Sequence, residues 1–273
     1  TFHHCINLER IYLNCSINVI KAGTFCDCKS LTEIIIPYSV ESIESCAFSE
    51  CSSLKRVVFL SQDNLEKIGY SAFSECSSLT EINIPQSVKN IGSSVFSGCT
   101  LLSNIFIPPL ITEIEKSFFE KCKNIIYVLI PKTVQKIKES VFSECILLEK
   151  INIPNSVTEI GGYAFNECKS LKQIFIPSSV TVISWGLFYQ CSSLTQIDIP
   201  YSVTSIEERA FYQCTSLENI IIPELVNSIG SCAFSNCKSL IQIRIPPQVS
   251  VIEGYLFDGC EKLEKIILPS KLN

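Results

Sequence analysis

Two adjacent histidines, His3 and His4, and sixteen cysteines are the residues here best equipped for chemistry. Imidazole with thiolate can hold zinc, a thiolate beside an imidazole can act as a nucleophile, and paired thiols can close disulfides. Spacing decides among these. No histidine follows His4, so a hydrolytic triad has no imidazole base beyond the first turn of the chain. His3 should stack over Cys26 and His4 over Asp27, which would gather zinc-ligand types in one place. The simpler expectation is a pair of polar side chains at a frayed end, with no metal. Twelve cysteines fall in the motif Phe-x-x-Cys, from Phe2 and Cys5 to Phe257 and Cys260, and ten of the eleven steps are 23 residues. No Cys-x-x-Cys pair and no phosphate-cradling glycine motif occurs. These observations point away from an enzyme and from a bound cofactor.

The elements that position these residues follow from the period. A fixed repeat of this length means a solenoid, in which each unit is too small to bury its own core and does so by stacking on its neighbours. The consensus is Phe-x-x-Cys-x-x-Leu-x-x-Ile-x-Ile-Pro-x-x-Val-x-x-Ile-x-x-x-Ala, as in Phe73, Cys76, Leu79, Ile82, Ile84, Pro85, Val88 and Ile91. Leu-x-x-Ile-x-Ile ends in the alternation of a strand with one buried face, and Pro, which lacks an N–H, closes it. Val-x-x-Ile predicts a second short extended segment across the coil. Ala-Phe-x-x-Cys fits a single helical or 3₁₀ turn. Gly69, Gly92, Gly161 and Gly230 share one position, read as a backbone turn requirement. Phe59–Leu65 breaks the pattern: it loses the Pro, adds two residues, and predicts a surface loop after which Leu65 and Ile68 restore the phase.

Twelve stacked phenylalanines should form a spine spanning on the order of 55 Å at the strand spacing of about 4.8 Å. The cysteines beside it are then structural: buried thiols act as small hydrophobes with a weak donor for turn carbonyls. Parallel Cβ vectors hold stacked cysteines too far apart for relaxed disulfides. Cys15, Cys26, Cys46 and Cys232 lie off this register. So many free thiols fit a reducing setting, either cytosol or the surface of an anaerobe.

Units such as Phe165, Cys168, Leu171, Ile174, Ile176, Pro177 and Val180 resemble the BspA-like leucine-rich repeats of the 23-residue treponemal type. The resemblance covers residues 1–273, read as one solenoid domain of about twelve coils cut from a longer protein. It implies a right-handed, curved leucine-rich repeat solenoid with a parallel sheet on the concave side and short extended segments and turns on the convex side. It also implies a cell-surface or extracellular protein of the adhesin kind. The first coil, where Asn14-Cys15 replaces the Pro region and forms with Ser16 the only glycosylation sequon, departs from the pattern.

Net charge is −5 with scattered Lys and Arg, which excludes a nucleic-acid footprint, and no apolar run is long enough to span a membrane. Alternation instead sends one column outward on the concave sheet: Tyr12, Ile35, Val58, Asn83, Phe106, Leu129, Asn152, Phe175, Asp198, Ile221, Arg244 and Ile267. A second column runs beside it and includes Tyr127, Gln173 and Gln196. More than half of the first column is apolar where solvent is expected, which fits an interaction surface, and equally strand propensity alone or a stripe covered by neighbouring domains. Phe106, Tyr127, Leu129, Phe175, Gln173, Gln196, Asp198, Ile221 and Arg244 are therefore the candidate contacts for a protein or glycan ligand. The competing readings are a structural spacer or a rod that self-associates through uncapped ends. Trp185, the single tryptophan, lies on the convex side and reads equally as a lone exposed aromatic or as a contact.

Overall fold

The computed structural model describes residues 2–13 and 16–270; Cys15 and the Asn14 sequon lie outside the described residues. The chain forms a parallel-strand solenoid of about eleven turns in which most coils contribute two short strands. One ladder carries the Leu-x-x-Ile-x-Ile segments, such as Glu33–Ile36, Tyr127–Leu129, Gln173–Phe175 and Lys265–Ile267. Its register is 23 residues, pairing Val128 with Ile151 and Ile174 with Ile197. The other ladder carries two-residue strands such as Ser42–Ile43, Lys136–Ile137 and Ser205–Ile206, which are the predicted Val-x-x-Ile segments. Between them the Pro carbonyl accepts from the Val N–H three residues on, for example Pro85 from Val88 at 3.2 Å, so Pro ends one strand and opens the turn to the next.

The described residues contain no helix. The expected helical turn around Phe is instead a pair of tight turns. The residues two before and two after each Phe lie in the left-handed region, for example Ser71 (φ 49°) and Glu75 (φ 60°) around Phe73. A right-handed helix excludes this conformation. The gain is a third set of bonds between coils. Ser71, Phe73 and Glu75 donate their N–H groups to Ser93, Val95 and Ser97 of the next coil at 2.7–3.0 Å, and the triplet repeats along the stack. Each of the two left-handed residues in a coil costs on the order of 1–3 kcal/mol when it is not glycine, and the three bonds, at about 0.5–1.5 kcal/mol net each, offset much of that.

The shared glycine position has a different cause from the one expected. None of Gly69, Gly92, Gly161 and Gly230 has positive φ. A Cβ at Gly69 would stand 2.5 Å from the backbone nitrogen of Ser45, and one at Gly161 2.6 Å from that of Glu139. Glycine is there because the neighbouring coil's backbone comes so close.

Inside, Phe25 to Phe234 are all buried, and consecutive rings stack with centroids 5.2–6.0 Å apart. Each in-register cysteine from Cys28 to Cys260 donates its thiol to the carbonyl of the Phe one coil back, as Cys168 does to Phe142 at 3.2 Å and Cys191 to Phe165 at 3.0 Å. All fifteen described cysteines are free. At the pattern break, Leu65 and Ile68 return to the core while Leu60 and Asp63 stay outside, as a surface loop requires. Asn64 fastens this loop to the carbonyl of Tyr38 at 2.6 Å.

Replacing Phe165 by Ala should destabilise the chain by about 3–5 kcal/mol in urea unfolding, since the ring leaves a cavity between two stacked neighbours. The thiols give an independent readout. Burial pushes Cys51 from 9.0 up to about 12, and holds Cys168 and Cys214 well above the ordinary thiol value. Their protonated form is favoured by folding, so this stabilisation is complete below about pH 9 and is lost as the pH rises from 9 toward 12. A thiol reagent at about pH 8 should label the exposed Cys5 readily, and Cys168 only when denaturant is added.

Candidate functional site

Strand alternation places the candidate residues where the sequence puts them, on the outer side of the first ladder. Ile174 and Ile197 point inward and are buried, while Gln173, Phe175, Gln196 and Asp198 face out. Exposure along the outward column is high for apolar side chains: 43% for Phe106, 49% for Leu129, 61% for Phe175 and 80% for Ile221, with Tyr127 beside it at 50%. Pairing puts Phe175 directly beside Asp198, and Gln173 beside Gln196.

Five candidates converge on one open depression of about 430 Å³. Tyr127, Gln173, Phe175, Gln196 and Asp198 line it together with Lys150 and Asn152. Lys150 and Asn152 were not singled out in the sequence, although they occupy the same two outward columns. Leu129 faces Phe175 across an adjoining depression of about 580 Å³ that reaches Pro131 and Pro154. Ile221 and Arg244 lie farther along, in a third of about 480 Å³ with Tyr201 and Ile267. Phe106 is exposed but lines none of these, and so stands apart from the cluster.

Charge divides the sheet. In the early coils the second column alternates in sign, and Arg56 lies 3.3 Å from Glu33 in an ion pair. From Lys150 onward it runs Gln173, Gln196, Asn219 and Gln242, amides that keep both donors and acceptors for a partner. Arg244 forms an ion pair with Glu224, so its charge is partly spent within the sheet.

The first coil behaves differently from a metal centre. His4 Nδ1 lies 2.5 Å from Asp27 Oδ2, and Lys29 approaches the other carboxylate oxygen at 3.1 Å. The hydrogen bond from His4, then that from Lys29, lowers the Asp27 carboxyl below its ordinary range. Among the described residues no group of three or more metal-ligand types comes together.

With this geometry the relationship to known proteins is direct. The family model for the BspA-type leucine-rich repeat region, in six copies, matches residues 1–126, 66–192, 112–223 and 183–273. This chain belongs to the BspA-type leucine-rich repeat family. A leucine-rich repeat protein from Bacteroides ovatus is 29% identical, with a TM-score of 0.74 over 94% of this chain and 78% of that one. A leucine-rich cell surface protein from Faecalibacterium prausnitzii is 30% identical, with a TM-score of 0.55 over 92% of this chain and 83% of that one. The pneumococcal vaccine antigen PcpA, 21% identical with a TM-score of 0.66 over 92% of this chain and 73% of that one, shares the fold. No curated protein matches the chain. BspA-type and other leucine-rich repeat solenoids are generally binding scaffolds without enzymatic activity.

Since Phe175 gains little from the core, Phe175→Asp should change stability by about 1 kcal/mol or less, the span of strand preference. Asp198 already stands at the same position one coil on. Equilibrium unfolding of this variant beside Phe165→Ala checks the contrast.

Proposed function

We propose that the chain is a non-enzymatic binding module of a cell-surface protein, and that its concave sheet from Tyr127 to Ile267 holds a protein or glycan partner. The observation that carries this is the exposed apolar column. Phe175, Leu129 and Ile221 stand outward on a sheet whose own core is complete without them. Exposed apolar surface flanked by amides is the composition of recognition surfaces: the aromatic supplies area and the amides supply direction. Three adjoining depressions distribute these groups over seven successive strand positions, at about 4.8 Å each, which suits an extended contact better than a single small molecule.

The surface location is supported by the Faecalibacterium relative, which is named as a cell surface protein. Among the described residues no helix is long and apolar enough to cross a membrane. No cofactor enters this reading.

The test compares the chain with Phe175→Asp and Leu129→Asp on protein and glycan arrays. Binding of the array partner should fall at least tenfold in either variant while the unfolding midpoint stays near that of the parent. A partner held equally by parent and both variants would remove the concave sheet from the account. Light scattering that shows concentration-dependent assembly, with no array partner, would favour the spacer reading.

A further inference from the structure

The turn side of the solenoid carries a second cluster that the concave sheet does not use. Two positions on this side, two before and one after each Phe, are filled mostly by small residues in the early coils, as at Ser71, Ser74, Ser94 and Ser97. From the eighth coil bulky and charged residues enter them, as Tyr163, Tyr189, Arg209, Tyr212, Tyr255 and Asp258, among smaller ones such as Gly186, Cys232 and Ser235. The fold does not ask for this change, because the serine coils keep the same backbone. It even opposes it: Tyr163, Arg209 and Tyr255 hold φ of 54–58°, a region disfavoured for bulky side chains.

The rings are seated, not scattered. Tyr163 meets Trp185 edge-on at 4.5 Å, and Tyr189 stacks on Tyr212 at 4.8 Å with 15° between planes. Trp185 lies over Gly162 and Tyr163 over Gly186, where an added Cβ would stand 2.4 Å and 2.3 Å from the respective ring. Of the two readings the sequence leaves open for Trp185, the structure favours the contact: it is part of a cluster. Tyr163, Tyr189, Tyr212, Tyr255, Arg209 and Asp258 all line one cavity of about 310 Å³.

We infer that this cavity is a second binding site, for a neutral sugar ring, independent of the concave sheet. Its volume lies at the small end of the roughly 300–1,000 Å³ of ligand pockets. Phenol faces carry the negative side of the ring quadrupole, which attracts the C–H face of a pyranose. The groups around them divide as sugar hydroxyls need: Arg209 donates, the Asp258 carboxylate accepts, and phenol hydroxyls do either. Arg209 spends one nitrogen on Glu208 at 3.1 Å, leaving a guanidinium fork with further donors. Arg209, its partner Glu208 and Asp258 together carry one negative charge, which disfavours a sugar acid and leaves an uncharged ring as the better fit.

Trp185, the only tryptophan, reports on the site through its contact with Tyr163. The experiment titrates the chain with glucose, galactose, mannose and their N-acetyl forms, following Trp185 emission and calorimetric heat. One or more should give saturable binding. Tyr189→Ser and Tyr212→Ser place a residue that other coils carry at this position, such as Ser74, so the fold should persist. Each should weaken that sugar at least tenfold, whereas Phe175→Asp should leave it unchanged. Failure of every sugar to bind, equal binding by both serine variants, or loss with Phe175→Asp would each overturn the assignment. Capture of a peptide at this cavity in place of any sugar would overturn it as well.

Discussion

Coil-to-coil register is the constraint on which everything else rests. A 23-residue unit has too few side chains to enclose a core, so each Phe ring must lie on the ring of the next coil and each thiol must reach the Phe carbonyl behind it. That carbonyl closes a tight turn by accepting the N–H of the Cys three residues on, as Phe142 does from Cys145 at 3.1 Å, and the thiol of the next coil is its second donor. Cysteine suits the place because its sulfur is small and apolar enough to be buried among Leu and Ile, yet still donates. The absence of disulfides among the described residues follows from the same geometry: the thiols face carbonyls, not one another.

Much of this was legible in the chain because a solenoid repeats its evidence. Inward Ile174 and outward Phe175 are separable by alternation alone, and twelve copies of Phe-x-x-Cys make the stack unmistakable. The loop at Phe59–Leu65 was legible for the same reason, as a departure from a pattern seen elsewhere. What escaped were features with no residue signature. Left-handed turns occur at Ser71, Glu75, Lys121 and Tyr163, residues that share no propensity for φ above zero, so tertiary bonding overrides local preference there. Conversely Gly69 and Gly161 invite a turn reading, while their real cause is a neighbouring backbone that the sequence of one coil does not reveal. In the concave site, taking every outward residue between Tyr127 and Asp198 would have included Lys150 and Asn152. Aligning the residues that flank each Phe would have exposed the shift from serine to tyrosine, and with it the seat of Trp185.

The two faces thus use one scaffold differently. On the strand side, function is carried by what the coil leaves outward: Phe175 and Leu129 among amides, on a sheet already stabilised by its inner Ile ladder. On the turn side, the backbone is identical from coil to coil, and variation is confined to side chains that the stack does not need. Substitutions at either surface can therefore accumulate with small effects on folding, while those at Phe, Cys or Leu positions cannot. A repeat family built this way can keep its architecture and change its contacts.

The triplet of N–H groups that each turn sends to the next coil has an electrostatic outcome. In Ser71, Phe73 and Glu75, and again in Tyr163, Phe165 and Glu167, these peptide groups all point the same way along the axis. Each peptide unit carries about 3.5 D, so the aligned groups sum instead of cancelling as strand peptides do. The turn edge accordingly acts as a long dipole whose positive pole lies toward the C-terminal coils, the reverse of the polarity of an α-helix.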